Sequence, residues 1–153
     1  MSSSEVIDHI SAWLLTYAKE ANSKGFVVGV SGGIDSAVTS ALCARTNLPV
    51  LCLEMPIHQS TDQVTRARKH IESLQAKHPN VSAQEIDLGS VFDQFIGALP
   101  HAENTDKHEF SLVNARARMR MTTLYYFAGL KNYLVAGTGN KVEDFVVGFY
   151  TKY

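Results

Sequence analysis

Apolar positions along the chain alternate between two patterns, one typical of helices and the other typical of strands. Apolar residues that recur every three or four positions predict helices over residues 3–22, 34–45, 61–77, 90–99, 111–131 and 142–147. Short apolar runs between these segments predict strands over residues 26–30, 49–55, 83–88 and 133–136. Residues 100–109 and 138–141 are polar and aperiodic, and we expect them to form loops.

This alternation of strands and helices indicates an α/β fold. Because helices connect the strands, we expect a doubly wound, Rossmann-like parallel sheet with right-handed crossovers. Ligands of such sheets bind at the carboxyl ends of the strands. No linker, repeat or low-complexity tract divides the chain, so residues 1–153 are expected to form a single domain. The glycine-containing aromatic segment at residues 148–153 suggests that the sequence belongs to a longer protein and is truncated at its C-terminus.

The segment between the first strand and the second helix is a candidate phosphate-binding loop. Its sequence is Ser-Gly-Gly-Ile-Asp-Ser over residues 31–36. The glycines let backbone N–H groups approach an anion, and the start of the following helix adds further N–H donors. No lysine follows the glycines as the Walker motif would require. We expect the N–H groups of Gly32 and Gly33 and the hydroxyls of Ser31 and Ser36 to hold a nucleotide phosphate or pyrophosphate.

Asp35 is out of place in a phosphate loop unless a cation accompanies it. A carboxylate would repel phosphate, and Mg²⁺ is the usual bridge between the two. A second strand-end loop, residues 137–144, offers the hydroxyl of Thr138 and a second hard oxygen ligand in Glu143. The plainer alternative is a pair of ordinary turns in which Asp35 and Glu143 favour the start of the helix that follows.

Three arginines lie on the long predicted helix over residues 111–131. Arg116 and Arg120 are four positions apart and share a face, whereas Arg118 lies about 200° from Arg116. The apolar stripe through Ala115 and Met119 puts Arg118 at the margin of the buried face. A guanidinium there could clamp a carboxylate or a phosphate, although a solvated basic helix is the plainer interpretation.

Composition excludes several classes of protein. The net charge of −1 gives no field that favours nucleic acid or an anionic membrane. No apolar run approaches the length of a membrane-spanning helix, and the first residues do not form a signal peptide. Cys43 and Cys52 lie in apolar runs, which is typical of reduced core cysteines in a cytoplasmic protein. The six histidines show no metal-ligand spacing.

Four motifs together closely resemble the ammonia-dependent NAD synthetases, which belong to the ATP pyrophosphatases with an SGGxDS loop. They are S-G-G-I-D-S (31–36), N-A-R-A-R-M-R-M (114–121), G-T-G-N-K-V-E (137–143) and G-F-Y-T-K-Y (148–153). The resemblance implies an adenine nucleotide alpha hydrolase-like fold. It also implies NAD biosynthesis, in which deamido-NAD is amidated with ammonia at the expense of ATP.

The same resemblance assigns roles to residues. Asp35 and Glu143 match the family's magnesium ligands, and Arg118 and Lys152 match residues that bind deamido-NAD. The residues that match the ATP site are Gly29, Val30, Ser31, Gly32, Gly33, Ile34, Asp35, Ser36 and Thr138. A homodimer is implied as well. The reaction would pass through an acyl-adenylate, with no side chain of the enzyme acting as a nucleophile.

Two other functions stay open at this point. One is a different SGGxDS enzyme, either another adenylating amidotransferase or a tRNA thiolase, although Cys43 and Cys52 do not resemble a thiolase pair. The other is an inactive nucleotide-binding module, which gains weight if the protein ends at Tyr153.

Overall fold

The computed structural model describes residues 2–100 and 106–147. Within these residues, six helical segments lie at α1 (Ser3–Glu20), α2 (Ile34–Ala44), α3 (Thr61–Lys77), α4 (Gly89–Gly97), α5 (Asp106–Lys131) and a π-helical turn, Val142–Val147. Four strands lie between them, at β1 (Phe26–Gly29), β2 (Val50–Glu54), β3 (Val81–Glu85) and β4 (Leu134–Val135). Among the described helices, none combines the length and the apolar composition needed to cross a bilayer.

The strands form one parallel sheet in the order β3-β2-β1-β4. The α/β prediction is therefore confirmed, including the parallel strands. The chain proceeds outward from β1 to β2 and β3, and then returns to the other side of β1 as β4. The strand order thus reverses between β1 and β4, and such a reversal opens a ligand-binding crevice at the carboxyl ends of the two strands.

Alternate residues of the central strands supply two separate hydrophobic cores. Val28 and Cys52 pack with α1, α2 and α3 on one face of the sheet. Val27 and Leu53 pack with α4 and α5 on the other face. This arrangement confirms the doubly wound topology, and it explains why β1 and β2 are apolar without interruption.

Two elements differ from the sequence prediction. The third strand is Val81–Glu85 rather than residues 83–88, because its register is set by pairing with β2, where Val50 lies opposite Val81. Leu88, which suggested a longer strand, is buried in the second core instead. Helix α5 begins at Asp106, inside the segment that we predicted as loop; residues 101–105 of that segment lie outside the described part of the chain.

The two cysteines belong to the first core, and the half-buried His70 contacts the buried Ser40 beside it. Cys43 and Cys52 are free and buried in the core, as predicted, and burial raises the pKa of each thiol to about 12. The fully buried Ser40 hydroxyl of α2 lies 2.8 Å from Nε2 of His70 in α3. This hydrogen bond ties together the two helices that border the loop after β1.

Candidate functional site

The loop between β1 and α2 requires glycine at position 32. Gly32 has a φ of +83°, which residues with a side chain rarely adopt. A Cβ atom there would lie 2.5 Å from the carbonyl oxygen of Gln63, in the first turns of α3. Arg66 of the same helix donates from Nε to the Gly32 carbonyl oxygen over 3.4 Å. The loop is therefore packed closely against α3.

Hydrogen bonds within the loop fix its shape. The Ser36 hydroxyl is buried; it donates to the Gly33 carbonyl oxygen at 3.0 Å and accepts the Ser31 N–H at 3.2 Å. The Gly33 N–H in turn donates to the Ser31 hydroxyl over 3.3 Å. The Ser36 hydroxyl, which we predicted as a phosphate contact, is thus also part of the hydrogen bonding that shapes the loop.

Asp35 and the loop that carries Glu143 are joined by a single side chain. The Asn140 amide donates from Nδ2 to Oδ2 of Asp35 over 3.4 Å. Its Oδ1 accepts the backbone N–H groups of Val142 at 3.1 Å and Glu143 at 3.0 Å. The two strand-end loops that the sequence singled out therefore meet, at residues 35 and 140.

A cavity of about 490 Å³ lies at the crevice between β1 and β4. From the predicted ATP site, its walls include Gly29, Val30, Ser31 and Thr138. The residues from Gly32 to Ser36 follow directly in the chain but are not part of its lining, and Ile34 is largely exposed. The loops after β1 and β4 thus share one cavity, as the parallel topology predicted.

Arg120 is the one charged side chain among the described residues that line this cavity. It is half-buried, and its Nε donates to the Met55 carbonyl oxygen, at the end of β2, over 2.9 Å. Burial and the neighbouring Arg116 lower the pKa of its guanidinium, which nevertheless stays charged. The sequence pattern had suggested no role for Arg120.

Arg118 lies on the other side of α5, in a second cavity of about 750 Å³ between α4 and α5. Phe95 and Phe110 line the same cavity, and Arg118 donates from Nη1 to the Asn114 side-chain oxygen over 3.1 Å. We predicted Arg118 at the margin of the buried face; in the structure it is exposed and lines this cavity beside Ala115 and Met119, whereas Arg116 and Arg120 are half-buried.

The oxygen donors near the loop fit a Mg²⁺ ion that is bound together with a nucleotide. Within residues 2–100 and 106–147, no three His, Cys, Asp or Glu side chains cluster as a complete metal site. Mg²⁺ bound to nucleotides, however, takes one or two protein carboxylates and completes its shell with phosphate oxygens and water. Asp35, at the start of α2 and hydrogen-bonded to the loop of Glu143, is a donor of that kind.

Comparison with known proteins decides the family. The profile of the NAD synthase family matches residues 6–153. The chain belongs to the NAD synthase family. The NH(3)-dependent NAD(+) synthetase of Carboxydothermus hydrogenoformans is 35% identical over 151 residues, which is 97% of this chain and 59% of that protein. The corresponding protein of Mesoplasma florum is 34% identical over 155 residues, covering all of this chain and 60% of that one.

Solved structures confirm the NAD synthase fold. The NMN synthetase of Francisella tularensis superposes with a TM-score of 0.86 at 29% identity, covering 99% of this chain and 60% of that one. The NH3-dependent NAD synthetase of Campylobacter jejuni, in complex with nitrate, gives a TM-score of 0.83 at 34% identity, with coverages of 99% and 62%. The chain thus spans about three-fifths of the length of these relatives.

The resemblance to NAD synthases that the four motifs suggested is therefore confirmed. Lys152 lies outside the described residues, as does the whole of the last motif, residues 148–153. Arg120 and Asn140 are site residues that we did not predict from the sequence. A signal for Asn140 was present, since an asparagine three residues before Glu143 is typical of a residue that caps a helical turn.

Proposed function

We propose that this chain carries the ATP-binding part of an ammonia-dependent NAD synthetase. The reaction would convert deamido-NAD, ATP and ammonia into NAD, AMP and pyrophosphate. The observation that carries the proposal is the family match over residues 6–153, together with the Asn140 contact that joins Asp35 to the loop of Glu143.

ATP would bind across the crevice between β1 and β4. The cavity behind Gly29, Val30 and Thr138 would hold the nucleoside, and the loop at Gly32 and Gly33 would face the phosphates. Helix α2 begins directly after this loop, so its first N–H groups and the positive end of its dipole favour an anion there. Arg120 adds a fixed positive charge to the cavity wall.

Asp35 and Glu143 would hold Mg²⁺ against the phosphates. When bound, Mg²⁺ neutralises the charge that develops on pyrophosphate as it leaves. The protein would supply two carboxylate oxygens and a polar lining of backbone N–H groups. Asp35 would otherwise repel the nucleotide, so metal and nucleotide are expected to bind together.

The reaction would depend on how the protein positions its substrates rather than on a reactive side chain. The nicotinate carboxylate of deamido-NAD attacks the α-phosphorus of ATP, the bond to pyrophosphate breaks, and an acyl-adenylate forms. Ammonia then attacks the acyl carbon, AMP leaves with the bonding electrons, and the proton that nitrogen loses passes to solvent. Catalysis then rests on alignment and on stabilisation of developing charge.

Deamido-NAD would reach the site from the cavity that contains Arg118. Among the described residues, this cavity shares no lining residue with the cavity at the crevice between β1 and β4, which we call the loop cavity. Helix α5 lies between the two cavities. A homodimer with substrate sites at its interface, as the family resemblance implies, would bring an Arg118 cavity and a loop cavity together. Dimerisation and a cytoplasmic location are both part of this proposal.

A second acceptor is supported by one of the comparisons. The Francisella tularensis structure, with a TM-score of 0.86, is an NMN synthetase. The same chemistry at the same loop would amidate nicotinate mononucleotide instead of deamido-NAD. A tRNA thiolase is not favoured, because Cys43 and Cys52 are buried in the first core.

The test is pyrophosphate release with ATP, Mg²⁺ and ammonia, with each acceptor added separately. We expect release that requires deamido-NAD and is much slower with nicotinate mononucleotide. Faster release with the mononucleotide would assign the chain to the second function. Nucleotide binding without release in either mixture would identify an inactive nucleotide-binding module.

A further inference from the structure

Asn140 is placed to control both proposed metal ligands at once. Its amide nitrogen contacts the Asp35 carboxylate, and its amide oxygen accepts the backbone N–H of Glu143. One planar group therefore spans the gap between the loop after β1 and the loop after β4. Asp35 is 105 residues away from Asn140 in the chain.

The two ends of the Asn140 side chain have different effects. The oxygen caps the turn that begins at Val142, which is the usual role of asparagine at the start of a helical turn. The nitrogen donates to Asp35 and so orients one carboxylate oxygen toward residue 140. A hydrogen bond of this kind fixes the direction of a metal-binding carboxylate and leaves its other oxygen for the ion.

We propose that Asn140 is a positioning residue that sets Asp35 and Glu143 at the separation needed to hold Mg²⁺ with a nucleotide. The inference rests on the proposed function only for the identity of the metal and the nucleotide. It assigns no contact between Asn140 and either of them. A residue that only capped the turn would influence the fold of residues 141–147 without altering the metal affinity of Asp35.

Two substitutions separate these roles. Asn140→Ser retains a good cap but is too short to donate to Asp35 while it caps, and Asn140→Ala removes both contacts. Val142→Ala is the matched control, because it shortens an exposed side chain on the same turn and retains the backbone N–H that Asn140 accepts. Asp35→Asn shows the signal expected when the carboxylate itself is lost.

The measurement is Mn²⁺ binding, followed by electron paramagnetic resonance, to the purified protein saturated with α,β-methylene ATP. Asn140→Ser and Asn140→Ala are both expected to weaken Mn²⁺ binding about tenfold or more, while Val142→Ala stays within about twofold of wild type. Wild-type Mn²⁺ affinity in Asn140→Ser, whether or not Asn140→Ala loses it, would overturn the inference and leave Asn140 as a cap. Equally, Mn²⁺ binding that survives in Asp35→Asn would overturn it.

This assay is independent of the acceptor. If no amide forms from deamido-NAD but the Asn140 variants lose Mn²⁺ as expected, the proposed function fails and the inference stands. If amide forms normally in Asn140→Ser at limiting Mg²⁺, the proposed function stands and the inference fails.

Discussion

The backbone N–H of Ser31 donates a hydrogen bond to the Ser36 hydroxyl over 3.2 Å, across the loop between β1 and α2. Together with the bond from Ser36 to the Gly33 carbonyl oxygen, it closes this loop on itself. A binding loop that is already folded loses less conformational entropy when its ligand arrives. The loop that we propose for phosphate binding is therefore ordered by its own hydrogen bonds.

Gly32→Ala is expected to disrupt this loop. The residue has a φ of +83°, and the new Cβ would lie 2.5 Å from the Gln63 carbonyl oxygen. Either the loop or helix α3 must therefore shift. We expect a loss of about 1–3 kcal/mol of unfolding free energy, measured with urea, and weaker nucleotide binding. Gly97→Ala is the control, because its Cβ meets nothing within 4 Å. Equal stability of the two variants would contradict the close packing of the loop on α3.

Asp35→Asn is expected to abolish turnover and weaken the binding of Mg·ATP. The substitution keeps the size of the side chain but removes the negative charge that we propose balances Mg²⁺. A fall of about 100-fold or more in kcat is expected, since a metal contributes several kcal/mol to transition-state stabilisation. Asp8→Asn, in the exposed ion pair with Arg45, serves as the control. An unchanged rate in Asp35→Asn would remove this residue from the metal site.

Arg118→Ala should raise the KM for deamido-NAD much more than the KM for ATP. Loss of a charged hydrogen bond to the substrate typically costs about 1.5–3 kcal/mol, which corresponds to about 10–100-fold in binding. Arg45→Ala is the control, because it removes an exposed arginine from the C-terminal end of α2. Equal effects of Arg118→Ala on both KM values would instead indicate that the residue has a structural role.

His70 should make the stability of the protein depend on pH. Burial lowers the pKa of His70, so the unfolded chain takes up its proton first as the pH falls. The stabilisation is therefore present above the ordinary histidine pKa of about 6.5 and is lost as the pH falls through the lowered value. The free energy of unfolding, measured with urea, should differ less between pH 7.5 and pH 5.5 in His70→Gln than in wild type. An undiminished difference would assign the pH dependence to other groups.

The central strands were predictable because each is a continuous apolar run covered on both faces. The edge strand β3 was not, since only Val81 of its five residues is buried and its limits come from pairing with β2. The first turns of α5 were missed for a related reason. Asp106 and Glu109 suit the start of a helix, but these residues are exposed and carry no apolar period.

The loops of the site were predictable from glycines at strand ends, whereas the roles of individual side chains were not. Periodicity places Arg116 and Arg120 on one face of α5 and Arg118 on another, but it does not say which face meets the crevice. Which face meets the crevice depends on how α5 packs against β1 and β2. In the structure, the Arg120 Nε donates to the Met55 carbonyl oxygen over 2.9 Å. The Asn140 contact joins residues that lie far apart in sequence, so no local pattern reveals it.

The most direct test of the central claim is the product stoichiometry of a single reaction mixture. The purified protein is incubated with ATP, Mg²⁺, ammonia and deamido-NAD, and the nucleotides and phosphates are separated by chromatography. Our account predicts NAD, AMP and pyrophosphate in equal amounts, with none of them formed when deamido-NAD is omitted. Formation of ADP and inorganic phosphate instead would contradict cleavage next to the α-phosphorus, and with it the role assigned to the Asp35 loop.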